Sequence, residues 1–190
     1  FGQLQVLNIQ GTPGESVRLR AFTGATVAFT DSQVTYDNLH DSNGLYALAD
    51  GSGSKVDIGQ STIADFGLVA AVLAASNGGA VRLQNSLLTS VTDSTTTAGV
   101  TKSGNCERPN NYGGFVNHGA GNYRLKVPVP VGVTSAIDVG ADNQPTQRDF
   151  DLDHYKRVVG IHPDCGAYES SSLFADGLEL GELGSWSGVR

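Results

Sequence analysis

The sequence predicts an all-β solenoid, and three observations predict it. One short pattern recurs as Val27-Ala-Phe-Thr-Asp-Ser-Gln-Val34, Val56-Asp-Ile-Gly-Gln-Ser-Thr-Ile63 and Val81-Arg-Leu-Gln-Asn-Ser-Leu-Leu88, with the leading valines 29 and 25 residues apart. β-rich self-similarity at such a period marks coils that stack on one another. The composition agrees: 25 glycines and only 7% aromatics, with many Ser, Thr and Asn, suit short strands joined by frequent turns. No segment carries the 3.6-residue periodicity of a long amphipathic helix.

Within each copy the first and third positions alternate as one face of a strand does: Val27/Phe29, Val56/Ile58 and Val81/Leu83. Val34, Ile63 and Leu88 close the copies with a second apolar column. Between them lies a corner ladder, Asp31/Gln60/Asn85 followed by Ser32/Ser61/Ser86. Stacked at about 4.8 Å, these positions fall above one another, and the polar column is expected to bond backbone groups at its own bend. A strand precedes each copy: Val17–Phe22, Leu45–Ala49 and Leu68–Leu73, the last within the apolar run from Gly67 to Ala75. Leu4–Ile9 reads as the remnant of an earlier coil. A β-sandwich has similar turn signals but gives no reason for the same corner residues to recur.

The repeat fades after Val91, and Thr92–Gly104 reads as a loop or a degenerate rung. This divides the chain into coils over 1–104, a cap over 105–170 and a tail over 171–190. A cap is expected because a solenoid end exposes unpaired strand edges. Lys+Arg 12 against Asp+Glu 19 gives a net charge of −7, which disfavours nucleic acid and anionic membrane surfaces as partners. No apolar run reaches the roughly 20 residues of a membrane-spanning helix. The chain begins at Phe1 and has no Met, which reads as a processed or excised fragment. Cys106 and Cys165 are too few for a thiolate metal site and are either reduced thiols or one disulfide.

In the cap, Phe115-Val-Asn-His-Gly-Ala-Gly-Asn-Tyr-Arg-Leu125, Ser135-Ala-Ile-Asp-Val-Gly140, Asp151-Leu-Asp153, Arg157-Val-Val-Gly160 and Asp164-Cys-Gly-Ala-Tyr-Glu169 follow in order. This series resembles the C-terminal part of right-handed parallel β-helix proteins of the choice-of-anchor Q type, bacterial surface or secreted proteins related in fold to pectate lyases. The likeness covers about a third of the chain. It departs from the pattern where no Pro precedes Ala136, where His154 replaces a Gly and where Cys165 replaces an Ile. Leu173-Phe-Ala-Asp-Gly-Leu-Glu-Leu-Gly-Glu-Leu-Gly-Ser-Trp-Ser187 is similar to a Phe-Ala-Asp-Gly-type tail on exported proteins of gammaproteobacteria. The resemblance implies a right-handed parallel β-helix of three to four coils, and export to the periplasm, cell surface or medium. Export in turn favours a Cys106–Cys165 disulfide.

Asp149, Asp151 and Asp153 alternate with Phe150 and Leu152, so an extended strand would place all three carboxylates on one side, as candidate Ca²⁺ ligands. The competing reading, that Asp151 and Asp153 hold a turn, is favoured, because Ca²⁺ takes roughly six or more oxygens. No other cofactor is expected. Asp138, Asp164, Arg124 and Arg157 are expected to form an ion-pair network in the cap. A polysaccharide lyase or hydrolase needs carboxylates clustered on neighbouring coils with Arg or Lys nearby. Asp31 stacks on the amides Gln60 and Asn85, Asp37, Asp57 and Asp65 fall at unmatched offsets, and Arg18, Arg20, Lys55 and Arg82 are scattered. His40, His118, His154 and His162 have no metal spacing. Tyr36, Tyr46, Tyr112 and Trp186 are candidate sugar-stacking aromatics without forming a column. The expected function is a non-catalytic adhesive or structural module that meets polysaccharide or a cell surface, with self-association through an open solenoid end. The alternative is the end of a pectate-lyase-like enzyme whose catalytic coils lie upstream of Phe1.

Overall fold

The computed structural model of the chain describes residues 5–6, 15–35, 43–64, 66, 69–90, 92–94, 98–107 and 112–170. Expectations that rest on Tyr36, Asp37, His40, Asp65, Trp186 and the tail over 171–190 lie outside the described residues, as does most of Leu4–Ile9.

After a short strand β1 (Gln5–Val6), twelve strands follow as four rungs of three. The first rung holds β2 (Glu15–Phe22), β3 (Thr26–Thr30) and β4 (Gln33–Thr35), and the second β5 (Asn43–Asp50), β6 (Lys55–Gly59) and β7 (Thr62–Ala64). The third holds β8 (Ala71–Ser76), β9 (Ala80–Gln84) and β10 (Leu87–Leu88), and the fourth β11 (Thr92–Ser94), β12 (Val100–Ser103) and β13 (Cys106–Glu107). Each rung gives one strand to each of three parallel sheets, ordered β11-β8-β5-β2, β12-β9-β6-β3 and β1-β4-β7-β10-β13. The architecture is all-β with parallel sheets and is compatible with a solenoid.

The pairing places like residues together. Val27, Val56, Val81 and Val100 are successive partners, and so are Phe29, Ile58, Leu83 and Lys102. Val34, Ile63, Leu88 and Glu107 form the column of the third sheet. Side chains from all three sheets share one core, in which Leu45, Val56, Ile58, Ile63, Val81, Leu83 and Leu88 are fully buried. Such burial contributes about 1.5–3 kcal/mol for each Val, Leu or Ile. The third preceding strand, read as Leu68–Leu73, is β8 from Ala71, with Val69 and Ala70 ahead of it outside the strand and Leu68 outside the described residues. The apolar run there has no alternation to mark a boundary, and pairing with β5 sets it, Leu45 to Ala71 and Ala47 to Leu73.

Downstream of the rungs, β14 (Phe115–Asn117) and β15 (Asn122–Leu125) form an antiparallel pair. Within the span 105–170 read as a cap, the segment from Ala136 to Glu169 lies along the corner between the second and third sheets, with bonds to all four rungs, and forms a strap. A second apolar cluster joins Ala64, Leu87 and Cys106 to Phe115, Tyr123, Ala136, Cys165, Ala167 and Tyr168. The third sheet is therefore covered on both faces, and β4 and β7 are buried at every position. Strands covered on both faces lose the alternation of a half-exposed strand.

Candidate functional site

The corner ladder is where rungs and strap meet. Asp31, Gln60 and Asn85 all adopt left-handed backbone, with φ of 47°, 49° and 47°. Gly104 takes the same place in the fourth rung with φ 62°. Asn and Asp tolerate this region and Gly enters it freely, whereas Gln does so at a cost of about 1–2 kcal/mol. The following serines stabilise each bend: Ser32, Ser61 and Ser86 donate from Oγ to the carbonyls of Thr30, Gly59 and Gln84 at 2.8, 2.9 and 3.1 Å. Asn105 takes this position in the fourth rung, accepting from Ser86 N and donating to Leu83 O.

With the serines holding the bends, the Asp/Gln/Asn column points to the strap, which corrects the expectation that it bonds its own bend. Asn85 exchanges two bonds with the backbone of Ala141, each 2.8 Å. Gln60 Oε1 accepts from Arg148 N at 3.1 Å. Asp31 receives Arg157 Nη2 at 2.5 Å. Between these points every second strap residue meets an outward residue of the second sheet. Gln144 Oε1 accepts from Gln84 Nε2 and Ser103 Oγ, at 2.6 and 2.8 Å. Thr146 Oγ1 donates to Gln84 Oε1 at 3.1 Å, and Arg148 Nε to Thr30 Oγ1 at 3.4 Å. Thr146 fills the space beside Gly59, where a β-carbon would come within 2.4 Å of the Thr146 side chain.

The strap ends by crossing the third sheet. Cys165 is disulfide-bonded to Cys106 of the fourth rung. Gly166 N donates to Asn85 O, Ala167 N to Thr62 Oγ1 and Tyr168 O–H to Gln33 Oε1. This run therefore reaches every rung. Arg157, only 1% exposed, also donates to the carbonyls of Gly166 and Ala167, locking the two passes of the strap together.

Three buried carboxyls hold the strap's own turns. Asp151 accepts from the backbone N–H of Asp153, Tyr155 and Glu169. Asp164 accepts from those of Asp138 and Ser170, and Glu169 from those of Val159 and Asp164. Burial, reinforced by the neighbouring Asp164, pushes Glu169 up to about 8. Burial likewise raises Asp164, and it raises the Tyr168 phenol to about 12.

Residues 149–157 make a turn rather than an extended strand: Phe150 bridges Lys156, Asp151 N donates to Tyr155 O, and His154 has φ 66°. The three candidate Ca²⁺ carboxylates thus diverge. Asp151 turns inward, Asp149 is exposed, and Asp153 makes a bidentate pair with Arg124 at 2.5 and 2.6 Å. Among the described residues no three His, Cys, Asp or Glu come together as metal ligands. The expected four-residue network is replaced by separate contacts. Arg157 takes Asp31, Arg124 takes Asp153, and Asp138 accepts from the backbone of Ile161 and His162.

The remaining candidates are dispersed. Asp57 and Arg82, read as unmatched and scattered, are register partners and form a bidentate pair at 2.6 and 2.9 Å. Arg18 lies over the Tyr46 ring, and Tyr112 stacks on His118. His162 pairs with Asp142 at the surface. Sequence reasoning missed Gln144, Thr146 and Arg148, whose spacing of two is the signal of an extended segment laid against a surface. No family model, curated protein or solved structure matches this chain. No helix among the described residues is long and apolar enough to cross a membrane.

Proposed function

We propose that the chain is a non-catalytic module of an exported bacterial surface or extracellular protein, adhesive or structural in role. In this reading the rungs are the coils of a right-handed parallel β-helix and the module belongs with the choice-of-anchor Q type. One observation supports it above the others. The buried ionisable residues of the corner and strap are committed to holding the strap: Arg157 to Asp31, and Asp151, Asp164 and Glu169 to backbone N–H groups. Side chains bonded in this way serve rigidity rather than proton transfer. The Cys106–Cys165 disulfide suits an oxidising compartment.

The test has two arms. Expressed from its own gene in a bacterial host, the protein is expected outside the cytoplasm with both cysteines resistant to alkylation until reduced. Recovery in the cytoplasm with free thiols would overturn the export reading. Incubation with pectin, alginate or chondroitin is expected to yield neither unsaturated products nor new reducing ends. Turnover of any of them would sink the non-catalytic assignment.

A further inference from the structure

The inward columns change character at the last rung. In the third rung Ala71, Leu73, Ala75, Val81, Leu83 and Leu88 are apolar and buried. In the fourth, Val100 still packs on the core beside Val81, but the partners of Leu83 and Leu88 are Lys102 and Glu107. Lys102 Nζ lies 3.2 Å from Glu107 Oε1, so one ion pair links the second and third sheets across the end of the core. The two side chains keep 41% and 28% of their exposure, and with Ser103, Gly104 and Asn105 they line a shallow, open depression. The first rung has no such change: Val17, Leu19 and Val27 pack on the core and are only partly buried.

A rung seated on the charged end would strip water from both charges. The desolvation of an ion pair commonly exceeds the attraction it gains, and inward-pointing charge is one way natural sheets blunt an open edge. Stacking one copy on another head to tail would set the Val17, Leu19 and Val27 end of the first two sheets, with β1 ending the third, against the rung that carries Lys102 and Glu107. We propose that Lys102 and Glu107 form a charged plug that ends the stack and bars a second copy of this chain from seating on the last rung. The self-association expected from an open solenoid end is therefore blocked at this end. The inference is independent of the functional reading above, since it concerns one end of the stack and not catalysis or export.

The experiment compares the full chain with Lys102→Leu/Glu107→Leu by light scattering over a range of concentrations, with circular dichroism confirming the β fold. The wild type is expected to keep one mass at all concentrations, and the leucine pair to rise to at least twice the mass of one chain. The charge-swapped Lys102→Glu/Glu107→Lys should behave as wild type. Should the leucine pair fail to fold, Lys102→Met/Glu107→Gln replaces it and is read in the same way. A folded neutralised variant with constant mass overturns the proposal. So does wild-type association that Glu107→Lys, by placing two like charges at the plug, dissolves.

Discussion

Arg157 and Asp31 stand 126 residues apart in sequence and meet as a buried ion pair, 2.5 Å from nitrogen to oxygen, that fastens the strap to the first rung. Burial raises the Asp31 carboxyl above its ordinary value even beside the guanidinium. Removing Arg157 leaves the buried Asp31 carboxyl with the half-exposed Arg148, 3.9 Å away, as its remaining cationic neighbour, a poor substitute for the pair it loses. Arg157→Met is therefore expected to cost about 3–5 kcal/mol and to lower Tm by about 10 °C. Adding Asp31→Asn to that variant should recover much of the loss, because Asn is uncharged and tolerates the left-handed backbone at this position. Thermal unfolding of the single and double variants checks the ordering. Equal losses in both would show that the charge itself is not what matters.

The disulfide should act on the strap more than on the rungs. Cys106 and Cys165 are 59 residues apart, and closing such a loop removes about 4 kcal/mol of chain entropy from the unfolded state. Cys106→Ser/Cys165→Ser is expected to lower the denaturant midpoint accordingly. In hydrogen exchange, Gly166 and Ala167 amides should lose protection well before those of Val56 and Ile58, which lie in the fully paired second rung. Uniform loss across strap and rungs would mean that they unfold as one unit.

The rungs were legible because a stack makes equivalent positions repeat. Val27, Val56 and Val81 meet one environment, so one residue type recurs. The fourth rung hid itself because its inward positions face the end of the core, where Lys102 and Glu107 replace Leu and break the pattern. The strap hid for a different reason. It crosses the rungs instead of following them, so Gln144, Thr146 and Arg148 meet residues 60, 62 and 88 positions away with no period shared between the two partners. The corner column was visible as a polar ladder, but its direction was not. That depends on Ser32, Ser61 and Ser86 already satisfying the bend, which leaves Asp31, Gln60 and Asn85 for the strap.

Gly59 and Thr146 give a contact that can be tested on its own. A methyl at Gly59 would meet Thr146 Oγ1 at 2.3 Å and its Cβ at 2.4 Å, too close for either to remain. Gly59→Ala is expected to cost about 1–3 kcal/mol by overpacking. Thr146→Gly makes room for that methyl but gives up its bond to Gln84. A double-mutant cycle should therefore show Gly59→Ala nearly neutral in the Thr146→Gly background, a coupling of about 1 kcal/mol or more. Additive losses would place the strap elsewhere.

Glu169 should make stability fall on the alkaline side. Its folded value of about 8 lies above the ordinary 4.5, so the folded state holds a proton that the unfolded state releases. The contribution is full below about pH 4.5 and is lost as pH rises through 8. Asp164, raised by burial, acts in the same direction at lower pH, whereas the charge of Arg157 opposes the rise at Glu169. Ionising Glu169 beside Asp164 places like charges among the N–H groups of Val159 and Asp164, and the strap is the element that loosens. Urea midpoints at pH 6 and pH 9 should differ, with the lower at pH 9, and Glu169→Gln should flatten the difference because its side chain cannot ionise. A wild type equally stable at both values, or a slope that survives Glu169→Gln, would assign the proton to another group.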